Sequence, residues 1–169
     1  YCNGDASDQV NFTGTPGTVT FDWTKDGVDI GTPASSGTGV SSIASFTATN
    51  TGNSPIASTF TVTPRTENGL TCEGDEITFT ITVNPTPTVD AVSDQELCNG
   101  VNTNAINFTG DVSGTVFSWT NDETSIGLAA SGTGDISAFA AVNNGTEPVI
   151  PTIKDVPLYN HKNFNSEDN

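Results

Sequence analysis

Few residues of this chain are able to do chemistry, and most of those sit in turns. Oxygen-rich clusters occur at Asp5-Ala6-Ser7-Asp8, at Glu73-Gly74-Asp75-Glu76 and from Asp90 to Asp94. Carboxylates are the ligands that a hard calcium ion takes, which makes Glu73, Asp75, Asp90 and Asp94 the candidates for a calcium site. Such an ion demands roughly six to eight convergent oxygens. None of the clusters fits a defined loop motif, so solvated acidic turns are the simpler reading. The carboxylate pairs Asp26/Asp29 and Asp122/Glu123 also fall in turn sequences, where Asp commonly caps the backbone through its own side chain. Glycosidase chemistry would need such a pair fixed in a cleft. The sole histidine, His161, stands beside Lys162 with no rigid element to hold it against a nucleophile. The Gly-x-Gly sequences in Ser36-Gly37-Thr38-Gly39 and Ser131-Gly132-Thr133-Gly134 lack the third glycine, the Gly-Lys-Ser/Thr and the following helix of a phosphate loop. They read as turns. The expectation is a chain without catalytic residues and without a cofactor, calcium being the one ion worth weighing.

Cys2, Cys72 and Cys98 form no Cys-x-x-Cys arrangement, and His161 is their only nitrogen co-ligand, which argues against zinc. Two structural disulfides remain open, Cys2 with Cys72 or Cys72 with Cys98. Either would imply an oxidising, extracellular-type compartment.

The charge balance narrows the partners. Twenty acidic residues stand against four basic ones, a formal net charge of −16. A surface of that sign repels nucleic acid and anionic membranes, and in a chain where only 14% of residues are charged it also maintains solubility. No stretch approaches the ~20 apolar residues of a membrane-spanning helix, and no basic-then-apolar signal peptide opens the sequence.

The elements that must position these residues are strands. Val19, Phe21 and Trp23 alternate with Thr and Asp; Phe46 and Ala48 alternate with Ser45, Thr47 and Thr49; Phe60 and Val62 alternate with Thr59, Thr61 and Thr63; and Ile77, Phe79, Ile81 and Val83 alternate with Thr78, Thr80 and Thr82. A period of two places one face of each run in a core and leaves a threonine face to solvent. Turn signals separate the runs: Thr15-Pro16-Gly17, Lys25-Asp26-Gly27, Thr51-Gly52-Asn53, Glu67-Asn68-Gly69 and Glu73-Gly74-Asp75. Asn68-Gly69 is the strongest hairpin signal, joining the run around Phe60 to a short strand at Leu70 to Cys72.

The plan then repeats. Cys2-Asn3-Gly4 returns as Cys98-Asn99-Gly100, Asn11-Phe12-Thr13-Gly14 as Asn107-Phe108-Thr109-Gly110, Phe21-Asp22-Trp23-Thr24 as Phe117-Ser118-Trp119-Thr120, and Ile30-Gly31 as Ile126-Gly127. Further on, Phe46, Asn50, Gly52 and Pro55 match Phe139, Asn143, Gly145 and Pro148. The predicted fold is all-β: two tandem antiparallel sandwiches, the second incomplete, with Phe21, Trp23, Phe117 and Trp119 in the cores. Each tryptophan would bury about 200 Å² and contribute a few kcal/mol. Residues 1–84 make the first repeat. Residues 85–97 make a Pro-rich junction, stiffened by Pro85 and Pro87, together with the first strand of the second repeat. Residues 98–157 make the second, truncated repeat, and 158–169 a tail without strand periodicity. Asp155 stands where the first copy has the inward Val62, and the second copy lacks a counterpart of Cys72. The chain opens inside a repeat, which predicts a segment of a longer array.

At Cys98-Asn99-Gly100, Asn107-Phe108-Thr109-Gly110, Phe117-Ser118-Trp119-Thr120-Asn121-Asp122, Ser125 through Gly134 and Ala141-Val142-Asn143-Asn144-Gly145-Thr146, the chain resembles the PKD-like repeats of giant surface proteins. In gliding Gram-negative bacteria such proteins are commonly exported by type IX secretion and serve as adhesins or their stalks. The resemblance implies Ig/PKD-type sandwiches in an extracellular, cell-surface spacer or adhesive role, not an enzyme. It also favours Cys2 with Cys72 as the disulfide. The expected partners are neighbouring repeats and a surface or glycan target that the residues do not name. The alternatives are an accessory sandwich of a secreted degradative enzyme, and a filament subunit whose incomplete second sheet takes a complementing strand from another chain.

Overall fold

A computed structural model describes residues 1–15, 19–67 and 71–159. The described residues are nearly all-β and divide into two compact units, Tyr1–Thr86 and Pro87–Asn169. The first holds β1 (Val10–Asn11), β2 (Val19–Gly27), β3 (Ser36–Val40), β4 (Ser42–Ile43), β5 (Ile56–Glu67), β6 (Thr71–Glu73) and β7 (Ile77–Val83). The large sheet runs β3-β2-β5, and both β6 and β7 pair with β5, all antiparallel. β1 pairs with β4 in a small second sheet.

The alternation explains which face closes. Phe21, Trp23, Phe60, Val62, Ile81 and Val83 turn inward and meet Ile43, Phe46 and Ile30 in one apolar cluster, a sandwich-like core. Its centre is aromatic: Trp23 lies 5.8 Å from Phe60, and Phe60 stacks on Phe79 at 5.0 Å. Burying large rings in contact gains more than their area alone. On the opposite face Arg65 joins three strands, its Nη2 2.5 Å from Glu73 and its Nε 3.1 Å from Asp22. The second approach is an ion pair without the linear geometry of a hydrogen bond.

Trp23 stands opposite Gly37 on the neighbouring strand, and a Cβ at Gly37 would fall inside the indole. The Ser-Gly-Thr-Gly sequence is therefore tied to the tryptophan: its first glycine supplies the space the ring fills. Gly31 is fixed for a different reason, a left-handed φ of 95° with the carbonyl of Thr47 against it.

The second unit repeats this arrangement in reduced form. β8 (Thr115–Asn121) lies between β9 (Ser131–Thr133) and β10 (Ile153–Tyr159), again antiparallel. Trp119 faces Gly132, where a Cβ would again enter the indole, and clusters with Leu128, Ile136, Phe139 and Ile153. Phe117 is half-buried and stacks on Phe108 at 5.9 Å. The pairing register is preserved: Trp23 opposite Val62 becomes Trp119 opposite Asp155, and Phe21 opposite Pro64 becomes Phe117 opposite Pro157.

Several expectations are corrected. Cys2 and Cys72 form no disulfide. Cys72 pairs with Thr66 near one end of β5, whereas Cys2 bridges Asn84, beyond the Ile56–Val83 pair at the other end. Ten residues of strand separate the two sites, about 33 Å at ~3.3 Å per residue, far beyond the ~7 Å that a disulfide spans. Cys98 is exposed and likewise forms no disulfide. Leu158 and Tyr159, expected in an aperiodic tail, belong to β10 because they pair with Val116 and Thr115. Residues 85–97 contain no strand: Asp90 is held to Thr109 by one backbone bond of 2.7 Å and one side-chain bond of 2.6 Å in place of a ladder. Asn84 to Thr86 belong with the first unit, Asn3 Nδ2 donating to Thr86 Oγ1 at 3.2 Å. The run Ser45 to Thr49 buries Phe46 and Ala48 as its alternation requires but is no regular strand. There the N–H of Phe46 donates to the Ser7 hydroxyl at 2.9 Å instead of to a backbone carbonyl. The Thr15-Pro16-Gly17 and Asn68-Gly69 turns, Leu70, His161 and the tail from Asn160 lie outside the described residues, wholly or in part.

Gly37→Ala should destabilise the first unit by about 1–3 kcal/mol through overpacking against Trp23, whereas Thr59→Ala on the solvated face should stay within about 0.5 kcal/mol. Urea unfolding of the two variants checks this; equal midpoints would remove the tryptophan–glycine contact as a determinant.

Candidate functional site

The carboxylates singled out by residue type turn out to hold backbone. Asp26 accepts from the N–H of Gly27 at 2.7 Å, Asp29 from Gly31 at 2.9 Å, Asp122 from Thr152 at 2.7 Å and Glu123 from Ser125 at 3.0 Å. The hydroxyl and backbone N–H of Ser125 hold the Glu123 carboxyl below its ordinary range. These are turn and cap contacts of the kind that Asp and Glu make wherever a chain reverses.

The calcium candidates are dispersed. Glu73 is engaged by Arg65, and Asp75 lines an apolar cleft. In the second unit Asp90 accepts from the Thr109 hydroxyl, and Asp94 is exposed. Among the described residues no group of three or more His, Cys, Asp or Glu side chains converges on a metal position. The cleft in the first unit has a volume near 390 Å³ and is lined by Phe12, Val19, Phe21, Val62 and Phe79 along with Asp75. Its size falls within the range of ligand pockets, but its few polar groups do not define a ligand.

The most unusual chemistry lies in the second unit. In the first unit β5 is covered along its far edge by β7, from Val62–Ile77 to Ile56–Val83. In the second, β10 is the edge of its sheet among the described residues. An edge presents unpaired N–H and C=O groups to any chain that can lie alongside. Residues 153, 155, 157 and 159 turn inward, while Val156 and Leu158 stay exposed. The inward position opposite Trp119 is Asp155, and both its carboxylate oxygens are buried without a hydrogen-bond partner. The indole N–H of Trp119 is buried without a partner too. Burial pushes the Asp155 carboxyl above its ordinary value; the nearby N–H of Val156 offsets part of this without reaching hydrogen-bond geometry.

Sequence reasoning found Asp155 in place of Val62 but missed the frame around it. Asn3/Asn99 and Asn50/Asn143, repeated in the sequence, hold equivalent backbone groups in the two units. Comparison with protein-family models, with curated proteins and with solved structures finds no match. Among the described residues no helix is long and apolar enough to cross a membrane.

Asp155 should cost the second unit stability at neutral pH. Its folded-state carboxyl lies above the unfolded value, so the folded unit binds more protons; stability falls as pH rises from about 4 through the raised folded value and is level beyond it. Asp155→Val should stabilise the unit by about 1–3 kcal/mol at pH 7 by removing a desolvated, unpaired group, and the gain should shrink toward pH 3.5. Urea unfolding followed by Trp119 emission in a Trp23→Phe background measures both; a gain independent of pH would refute the ionisation argument.

Proposed function

We propose that the chain is a structural segment of a large bacterial cell-surface adhesin or filament protein, two PKD-like (Ig-like) repeats acting as extracellular spacer or presenting stalk. The observation that carries this reading is the reuse of one framework with divergent surroundings. Tryptophan over glycine, the strand register around it and the asparagine-pinned turns occur in both units. The Asp22–Arg65–Glu73 ion pairs of the first unit have Ser118 and Leu158 in the corresponding strand positions of the second. A framework kept while its surfaces drift is what a spacer needs: a core that folds each time and faces free to vary. The net charge of −16 suits a solvated, mutually repelling array. The acidic turns serve backbone caps, and the resemblance to PKD-like repeats supplies the surface location and the type IX route.

Two measurements bear on this. The parent reading frame should encode further copies of the Phe-x-Trp and Ser-Gly-Thr-Gly pair, and antibody raised against the 169-residue chain should label intact producing cells. A parent with one catalytic domain and no further repeats would favour the accessory-domain alternative, and labelling only after lysis would refute the surface role.

A further inference from the structure

Tension along the chain enters the first unit at Tyr1 and leaves it at Thr86, whatever stands beyond those residues. The two places lie side by side. Cys2 and Asn84 form a parallel bridge, in which the N–H of Asn84 donates to the Tyr1 carbonyl at 2.9 Å and the N–H of Asn3 donates to the Asn84 carbonyl at 2.9 Å. The Tyr1 nitrogen extends this pairing by donating to the Thr82 carbonyl at 3.0 Å, and Asn3 Nδ2 extends it the other way by donating to Thr86 Oγ1 at 3.2 Å.

The direction of the two segments decides how they meet a pull. Because they are parallel, drawing Tyr1 backward and Thr86 forward slides one along the other. The bonds run across that slide, so they carry the load together. An antiparallel pair pulled from one end opens instead one bond at a time. The same unit contains such a pair: Ala6 bridges Thr47 antiparallel, the N–H of Gly4 donates to the Ala48 carbonyl at 2.8 Å, and that of Ser7 donates to Phe46 at 2.8 Å. Asn3 and Asn50 stand at its outer end, so chain leaving toward Tyr1 and toward Asn53 leaves from one side.

Both parallel segments are also fixed to the body of the unit. Val83 and Pro85 are fully buried, and a slide would draw both from the core. Asn50, itself buried, reaches each segment: its N–H donates to Asn3 Oδ1 at 2.8 Å, and its Nδ2 donates to the Val83 carbonyl at 2.8 Å. We propose that Tyr1–Asn3 beside Thr82–Thr86 is a mechanical clamp, a shear lock that keeps the first unit folded when the chain is pulled along its length. Forced unfolding is governed by the unfolding barrier and not by equilibrium stability, so bonds that must break together lengthen survival under tension. The inference deepens the stalk reading and rests on it for its use, while the geometry is independent of it. A failed pulling test would leave the surface role standing, and failed surface labelling would leave the clamp standing.

Single-molecule pulling on the full chain carrying C2S, C72S and C98S compares two geometries at one loading rate. With handles on the first and last residues, the first unit is recognised by the length it releases, about 290 Å for Tyr1–Thr86 at ~3.4 Å per residue. With handles on the first residue and on Asn53→Cys, an exposed turn position, the antiparallel pair is peeled. The end-to-end geometry should need about two-fold or more the force of the peeling geometry. Asn84→Pro removes the N–H that the Tyr1 carbonyl accepts and should bring the two forces together. Thr86→Val, milder and confined to the sheared pair, should narrow the ratio in the same direction. Equal forces in the two geometries overturn the proposal, and so does a ratio that neither substitution changes.

Discussion

An indole packed against the bare backbone of the next strand is the contact on which both units depend. Trp23 over Gly37 and Trp119 over Gly132 set how β2 meets β3 and how β8 meets β9. The ring needs the missing Cβ, and the glycine needs the ring to fill the space it leaves. From that point the antiparallel register carries the pattern outward: Trp23 to Val62 on one side of β2, and Trp119 to Asp155 in the copy. Two otherwise divergent sequences are brought to one geometry by a pairing of the largest side chain with the smallest.

The same register explains why a charged residue survives at a core position. A strand whose pairing is imposed by its neighbour β8 over seven consecutive positions does not slip by one residue to expose a single Asp, because the slip would turn the other inward side chains out as well. Asp155 is held inward by Ile153, Pro157 and Tyr159, which share its face. The result is a buried carboxylate without a hydrogen-bond partner, on the strand that forms the edge of its sheet among the described residues, where the first unit has another strand.

The legibility of these features differed by residue. The alternation around Phe21 and Trp23, Phe60 and Val62, and Ile81 and Val83 named side chains that are buried. Pairs such as Asp26/Asp29 and Asp122/Glu123 were legible as turn acids, since their carboxylates accept nearby N–H groups within the same turns or from an adjoining strand end. The Cys2–Cys72 pairing failed because sequence analogy says which strands adjoin but not at which end. A strand of twelve residues separates two bonded neighbours by more than a disulfide can cross. The strand at Ile153–Tyr159 was obscured by Lys154, Asp155 and Pro157, whose propensities are poor and whose conformation comes from β8.

The amino-acid sequence by itself determined the β composition, the duplication and the inward face of each strong strand, because period-two alternation and turn residues act over a few neighbouring positions. Only the tertiary structure decided that Gly37 and Gly132 are tryptophan seats, that Cys2 and Cys72 lie toward opposite ends of one strand, and that Asp155 is buried on an edge strand among the described residues. Those outcomes depend on register between segments far apart in the chain, and register is set by the sum of the cross-strand contacts, not by any residue read alone.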